Sequence, residues 1–138
     1  MTEYISHSAE ETRQLGQQIG QRLTRGGVIA LTGDLGMGKT CLISGIAQGL
    51  GYTGEVSSPT FALVNEYIGG RLSLYHFDMY RVEGWDDLYS TGFFDYLDAG
   101  GLLVVEWSEN IAAALPEDTM HIALFRLDDT TRRIVLDF

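Results

Sequence analysis

Residues 33–40 read GDLGMGKT, and Lys39 within that run is the only lysine among the nine basic residues of the chain. The spacing G-x-x-x-x-G-K-[ST] is the P-loop, or Walker A, pattern. Its glycines let backbone N–H groups close around phosphates, its lysine reaches the β- and γ-phosphates, and the hydroxyl that follows ligates Mg²⁺. In this chain the cradle is the run Asp34, Leu35, Gly36, Met37, Gly38, Lys39, Thr40 and Cys41, with Thr40 supplying the hydroxyl.

A second chemical element closes the apolar run LLVVE at 102–106. A buried strand ending in an acid is the Walker B form and brings a carboxylate beside the P-loop, where it holds Mg²⁺ directly or through water. Glu106 is that acid. Asp78, which ends the run YHFD, competes for the role. Residues 72–76 mix polar and apolar positions as a half-exposed antiparallel strand does, whereas 102–105 have no polar break. The buried strand should neighbour the strand entering the P-loop, which assigns the metal to Glu106, and Asp78 is left to position the attacking water or complete the metal's outer shell. Thr60, in the SSPT loop between the two motifs, lies where switch loops offer a hydroxyl to Mg²⁺ or the γ-phosphate. Trp107 follows Glu106 and packs near the nucleotide or in the core. Arg81 reads as a surface ion pair and His76 as structural, since nothing pairs it with Cys or His at ligand spacing. Cys41, the single cysteine, reads as packing.

The elements that must hold these groups follow from periodicity. The continuous apolar residues 28–31 predict a buried strand entering the P-loop. Leu42, Ile43, Ile46, Ala47 and Leu50 recur at helical spacing after it, and Gly51 sits where that helix ends. Ser8 and Glu11 form a capping box ahead of an amphipathic helix marked by Leu15, Ile19 and Leu23 and ending near residues 26–27. Residues 61–67 and 72–77 flank Gly69 and Gly70 as a β-hairpin. Residues 85–97 are mixed and predict a short, aromatic-rich helical segment, 102–105 a second buried strand, 111–115 a brief helix stopped by Pro116, and 121–127 with 134–138 two closing strands. The sum is a single α/β domain over 1–138, a P-loop NTPase-like three-layer sandwich with a mixed, partly antiparallel sheet.

Composition narrows the partners. A net charge of −10, with arginines scattered singly apart from Arg132 and Arg133, provides no basic stripe for duplex or tRNA, so strong direct nucleic-acid binding is not expected. An acidic surface suits a basic protein partner or simple solubility. No stretch approaches the roughly 20 apolar residues of a membrane span. The N-terminus lacks a basic and an apolar region, and the lone cysteine suits a reducing compartment, so a cytoplasmic protein is expected. There is no N-K-x-D run for guanine, nor an arginine-rich lid or acceptor-binding insertion of the kind a small-molecule kinase closes over two substrates.

Four motifs in order, GDLGMGKT at 33–40, SSPTF at 57–61, YHFDMYR at 75–81 and VEW at 105–107, resemble the TsaE (formerly YjeE) family of bacterial ATPases needed to make threonylcarbamoyladenosine in tRNA. The resemblance spans nearly the whole chain. It implies a compact Mg²⁺-dependent ATPase that binds ATP or ADP and associates with TsaB and TsaD, with TsaD carrying out threonylcarbamoyl transfer. ATP hydrolysis by this chain would reset or release that complex between turnovers. By motif it places Lys39 and residues 36–40 on the phosphates, Thr40 and Glu106 on Mg²⁺, Asp78 as the essential acid, and Trp107 near the nucleotide. It further brings Thr12 of the N-terminal helix and a C-terminal arginine, Arg132 or Arg133, toward the nucleotide. Cys41 stands where the family usually repeats threonine. If that hydroxyl touches the α-phosphate, its loss weakens binding by one hydrogen bond, ~1 kcal/mol. A small-molecule kinase and a nucleotide-gated binding module with negligible turnover are the alternatives.

Overall fold

The apolar runs form the centre of a sheet, and their two-residue period decides what each face carries. The computed structural model describes residues 2–33, 38–54 and 64–137. The expectations for Asp34, Leu35, Gly36, Met37 and Thr60 lie outside those residues. Among the described residues the elements are β1 (Thr2–Ser6), α1 (Ala9–Arg22), β2 (Gly27–Gly33), α2 (Lys39–Gly49), β3 (Val64–Tyr67), β4 (Leu74–Asp78), α3 (Trp85–Ser90), α4 (Phe93–Asp98), β5 (Leu102–Glu106), a 3-10 helix (Ser108–Ala114), β6 (Met120–Arg126) and β7 (Arg132–Asp137). The strands lie in the order β1-β7-β6-β2-β5-β4-β3. The four central strands β6, β2, β5 and β4 run parallel, while β3 pairs antiparallel with β4, β7 with β6, and β1 with β7. The sheet is thus mixed and partly antiparallel, as expected.

Alternation of side chains splits the core in two. Ile29, Leu31, Leu74, Leu102 and Val104 face α1 and α2, where they meet Leu15, Ile19, Leu42, Ile43 and Ile46. Val28, Tyr75, Phe77, Leu103 and Val105 face the opposite layer, built from α3, α4 and the 3-10 helix, where they meet Leu88, Phe93 and Ile111. Helices therefore cover both faces, as a parallel sheet requires.

Two glycine pairs set how closely α1 and α2 cross. Gly16 and Gly20 on α1 face Gly45 and Gly49 on α2, each pair one helical turn apart. A Cβ at Gly45 would sit 2.0 Å from the Arg13 carbonyl oxygen, and one at Gly16 would sit 2.4 Å from that of Leu42. The α1 cap forms as expected at Ser8, whose hydroxyl accepts from the Glu11 N–H at 3.1 Å. The Glu11 carboxylate, however, takes the N–H of His7, one residue before the cap.

Four expectations change. β1 had no signal in the sequence; it exists by pairing with β7 at the sheet edge. The 85–97 segment is two helices, broken where Gly92 adopts φ 81. The 111–115 helix is a 3-10 helix that starts at Ser108, directly after Trp107. Most consequentially, β4 is not half-exposed: it pairs antiparallel with β3 as the hairpin requires, but Leu74, Tyr75, His76 and Phe77 are all buried and its other edge runs parallel to β5. Ser73, the polar residue that suggested exposure, lies before the strand and accepts the Leu102 N–H.

Candidate functional site

The parallel strands end together, so their C-terminal residues meet along one edge. Gly33 ends β2, Asp78 ends β4 and Glu106 ends β5, with Asp78 and Glu106 directly in register and Leu31 opposite Glu106. Crevices at the carboxyl ends of such strands are where open α/β sheets bind ligands. Gly33, at φ 136, comes so close to β6 that a Cβ would strike the Leu124 carbonyl oxygen at 2.3 Å. No other residue fits there.

Helix α2 opens on this edge. Its N-cap, Gly38, is left-handed at φ 92 and provides no side-chain cap. Lys39 follows, only 6% exposed. Among the described residues no carboxylate lies within ion-pair distance of it; its ammonium sits 5.8 Å from the centre of the Trp107 ring. Trp107 is held with φ 58 at the turn from β5 into the 3-10 helix and packs in turn on Tyr80. A buried cation without a counter-ion is costly to hold, and a bound anion is what would offset that cost.

The acids are fixed differently. Asp78 accepts the Tyr80 N–H at 2.9 Å, which locks the turn leaving β4. Glu106, with its side chain 13% exposed, meets His76 Nε2 at 2.6 Å. His76 is fully buried, and its contact with Glu106 is one the sequence reading did not name. The signal was present: His76 and Asp78 are two residues apart, hence on one face of a strand, and both share the face of Glu106. With β4 and β5 equally buried, strand burial no longer separates Glu106 from Asp78. What remains is adjacency, since β5 and not β4 pairs with the P-loop strand.

Beside Gly38 lies a pocket of about 270 Å³, whose walls include Thr12, Gly38, Cys41, Thr130 and Arg132. Thr12 is buried and shares a 2.6 Å hydrogen bond with the Ser6 hydroxyl, which leaves its methyl toward Gly38. Arg132 reaches the pocket from the β6–β7 turn, where it donates to the Asp128 carbonyl at 2.7 Å. Arg133, one residue on, points to the other face of β7. There it makes a two-pronged ion pair with Glu3 and stands over Phe125. Of the two arginines left open by the sequence, the pocket holds Arg132. A second pocket of about 300 Å³, between α3 and the 3-10 helix, is lined by Glu83, Trp85 and Asn110 and offers no cation to a phosphate.

The donor set fits a phosphate chain with a divalent cation: a buried ammonium with no carboxylate partner among the described residues, a helix N-terminus whose N-cap glycine provides no side-chain cap, and two carboxylates in register. Among the described residues no three His, Cys, Asp or Glu side chains gather into a metal site of their own. Mg²⁺ does not need one, since it keeps waters and uses one or two carboxylates with substrate phosphates. No described helix is long and apolar enough to cross a membrane.

Comparison with known proteins gives a consistent picture. Residues 6–134 match the family model of Threonylcarbamoyl adenosine biosynthesis protein TsaE. The chain is 42% identical over 132 residues to the tRNA threonylcarbamoyladenosine biosynthesis protein TsaE of Treponema pallidum (strain Nichols), covering 96% of this chain and 97% of that one. It is 40% identical over 125 residues to the protein of the same name from Bacillus subtilis (strain 168), covering 91% and 78%. In structure it is similar to the crystal structure of Bacillus subtilis YdiB, with a TM-score of 0.78 and 32% identity over 98% of this chain and 83% of that one. With nearly its whole length matched, this chain belongs to the TsaE family of threonylcarbamoyl adenosine biosynthesis proteins.

Proposed function

We propose that this protein is a Mg²⁺-dependent ATPase serving tRNA threonylcarbamoyladenosine formation, and that it acts on the TsaB–TsaD proteins and not on tRNA directly. The observation that carries the reading is Lys39, a buried ammonium with no carboxylate partner among the described residues, set behind an uncapped left-handed glycine. Lys39 binds the β- and γ-phosphates, and the α2 N–H groups bind the phosphate oxygens. Bound Mg²⁺, held by Thr40 and Glu106, would neutralise charge developing on the transferred phosphoryl group. Asp78 orients the attacking water. The pocket beside Gly38 takes the nucleoside end of ATP, with Thr12, Cys41 and Arg132 around it. A net charge of −10 favours a protein partner over nucleic acid.

The test is phosphate release from Mg-ATP, alone and with purified TsaB and TsaD. Slow release that rises with the partners and vanishes in Lys39→Met supports the reading. Unchanged turnover in Lys39→Met refutes the nucleotide site. Absence of stimulation by active partners refutes the coupling.

A further inference from the structure

We propose that His76 is a positioning residue for Glu106: its Nε2–H holds one carboxylate oxygen so that the other is presented to the metal. This rests on the nucleotide reading above. Three observations carry it. His76 is completely buried, and its Nε2 lies 2.6 Å from Glu106 Oε2. A carboxylate only accepts, so Nε2 carries the proton. Among the described residues no hydrogen bond reaches Oε1, so one oxygen is committed and the other is available.

Second, Nδ1 of the same ring is buried and meets no partner among the described residues. An apolar side chain at this place would avoid that desolvation cost, so packing alone does not account for an imidazole here. What the ring contributes is the contact at Nε2.

Third, strand register puts the pair in the right place. His76 stands opposite Val104, two residues before Glu106 on the neighbouring strand. Both side chains therefore lie on the face covered by α2, the helix that starts at Lys39. A hydrogen-bonded partner behind a metal-binding carboxylate orients it, and losing such a partner typically weakens metal affinity about 10- to 100-fold.

The experiment compares ATP dissociation constants with Mg²⁺ and with EDTA, and reads their ratio. His76→Phe keeps the ring volume and removes the donor, while His76→Gln returns an N–H at similar reach. The ratio is expected to fall about 10- to 100-fold in His76→Phe, to recover in His76→Gln, and to be unaffected by His76→Phe when Glu106→Gln is already present. A wild-type ratio in His76→Phe, or a loss that persists in the Glu106→Gln background, overturns the proposal. If the wild-type protein itself shows no Mg²⁺ dependence, the nucleotide reading fails instead. An independent arm needs no nucleotide and no variant fold. Long-range ¹H–¹⁵N spectra of the free protein, which has three histidines, are expected to show His76 as the Nε2–H tautomer. The Nδ1–H form there would also overturn it.

Discussion

Replacing Lys39 by methionine should separate binding from folding, because among the described residues no carboxylate pairs with the ammonium. Methionine retains the buried stem, so no large cavity opens where a side chain only 6% exposed is changed. The ammonium's one described contact is the Trp107 ring at 5.8 Å, which contributes ~0.5–2 kcal/mol in such geometries. Relief of the buried charge opposes that loss. The net change in folding stability should stay within about 1 kcal/mol, a Tm shift of no more than about 5 °C for a chain of this size. Nucleotide binding behaves otherwise. A charge-assisted hydrogen bond to phosphate contributes ~1.5–3 kcal/mol, so the dissociation constant for Mg-ATP should rise about 10- to 150-fold. Calorimetric titration at fixed ionic strength and a thermal melt of the same sample measure both. A melt lowered by more than about 10 °C with unchanged affinity would show that Lys39 is a structural residue and would refute the reasoning.

The acids divide the work. Glu106→Ala should abolish the enhancement of nucleotide binding by Mg²⁺, while Asp78→Ala should keep binding and slow phosphate release; exchanged phenotypes would assign the metal to the end of β4. Gly45→Ala places a methyl 2.0 Å from the Arg13 carbonyl oxygen and should cost about 1–3 kcal/mol by forcing α1 and α2 apart, read as a fall in the urea midpoint. Gly84→Ala, where a Cβ meets nothing within 4 Å and the backbone is extended, is the control. Asp128 accepts the Thr130 and Thr131 N–H groups, and these bonds, that of Thr130 foremost, hold its carboxyl below the usual aspartate value. A lowered folded-state pKa means that the contribution is present at neutral pH and is lost as pH falls through that lowered value. Thr130 and Thr131 amide shifts should therefore titrate with a midpoint below that of an ordinary aspartate, and a midpoint at or above it would contradict the turn geometry.

Much of the architecture was legible because it rests on local pattern. The runs at 28–31 and 102–105 are apolar throughout, and only a strand buried on both faces needs that. Ser8 and Glu11 announce a helix start by a mechanism that is local in sequence. β1 was not legible, because residues 2–6 have little apolar pattern of their own and become a strand only against β7, more than 120 residues away. The crossing of α1 and α2 was equally hidden. Each glycine pair reads as a mild weakness of its own helix, and only the facing pair turns both into a close contact.

At the site, the sequence favoured Glu106 for two reasons, of which adjacency to the strand entering the P-loop holds and a difference in strand burial does not. Exposure was inferred for β4 from Ser73 and His76, yet Ser73 precedes the strand and His76 is buried with its Nε2 on Glu106. A polar residue inside a strand is evidence of exposure only when no partner waits on the next strand. Here the partner is 30 residues away in sequence. Two-residue periodicity supplies the missing inference. His76 and Asp78 share a face, parallel pairing with β5 puts Glu106 on it too, and α2 covers that face. The same parity that sorts the core into two layers thus gathers the imidazole and both carboxylates on the side of the sheet where Lys39 begins its helix. A one-residue slip of β4 against β5 would keep every apolar count unchanged and turn His76 and Asp78 to the other layer, so the register of two buried strands is what makes this edge a candidate site.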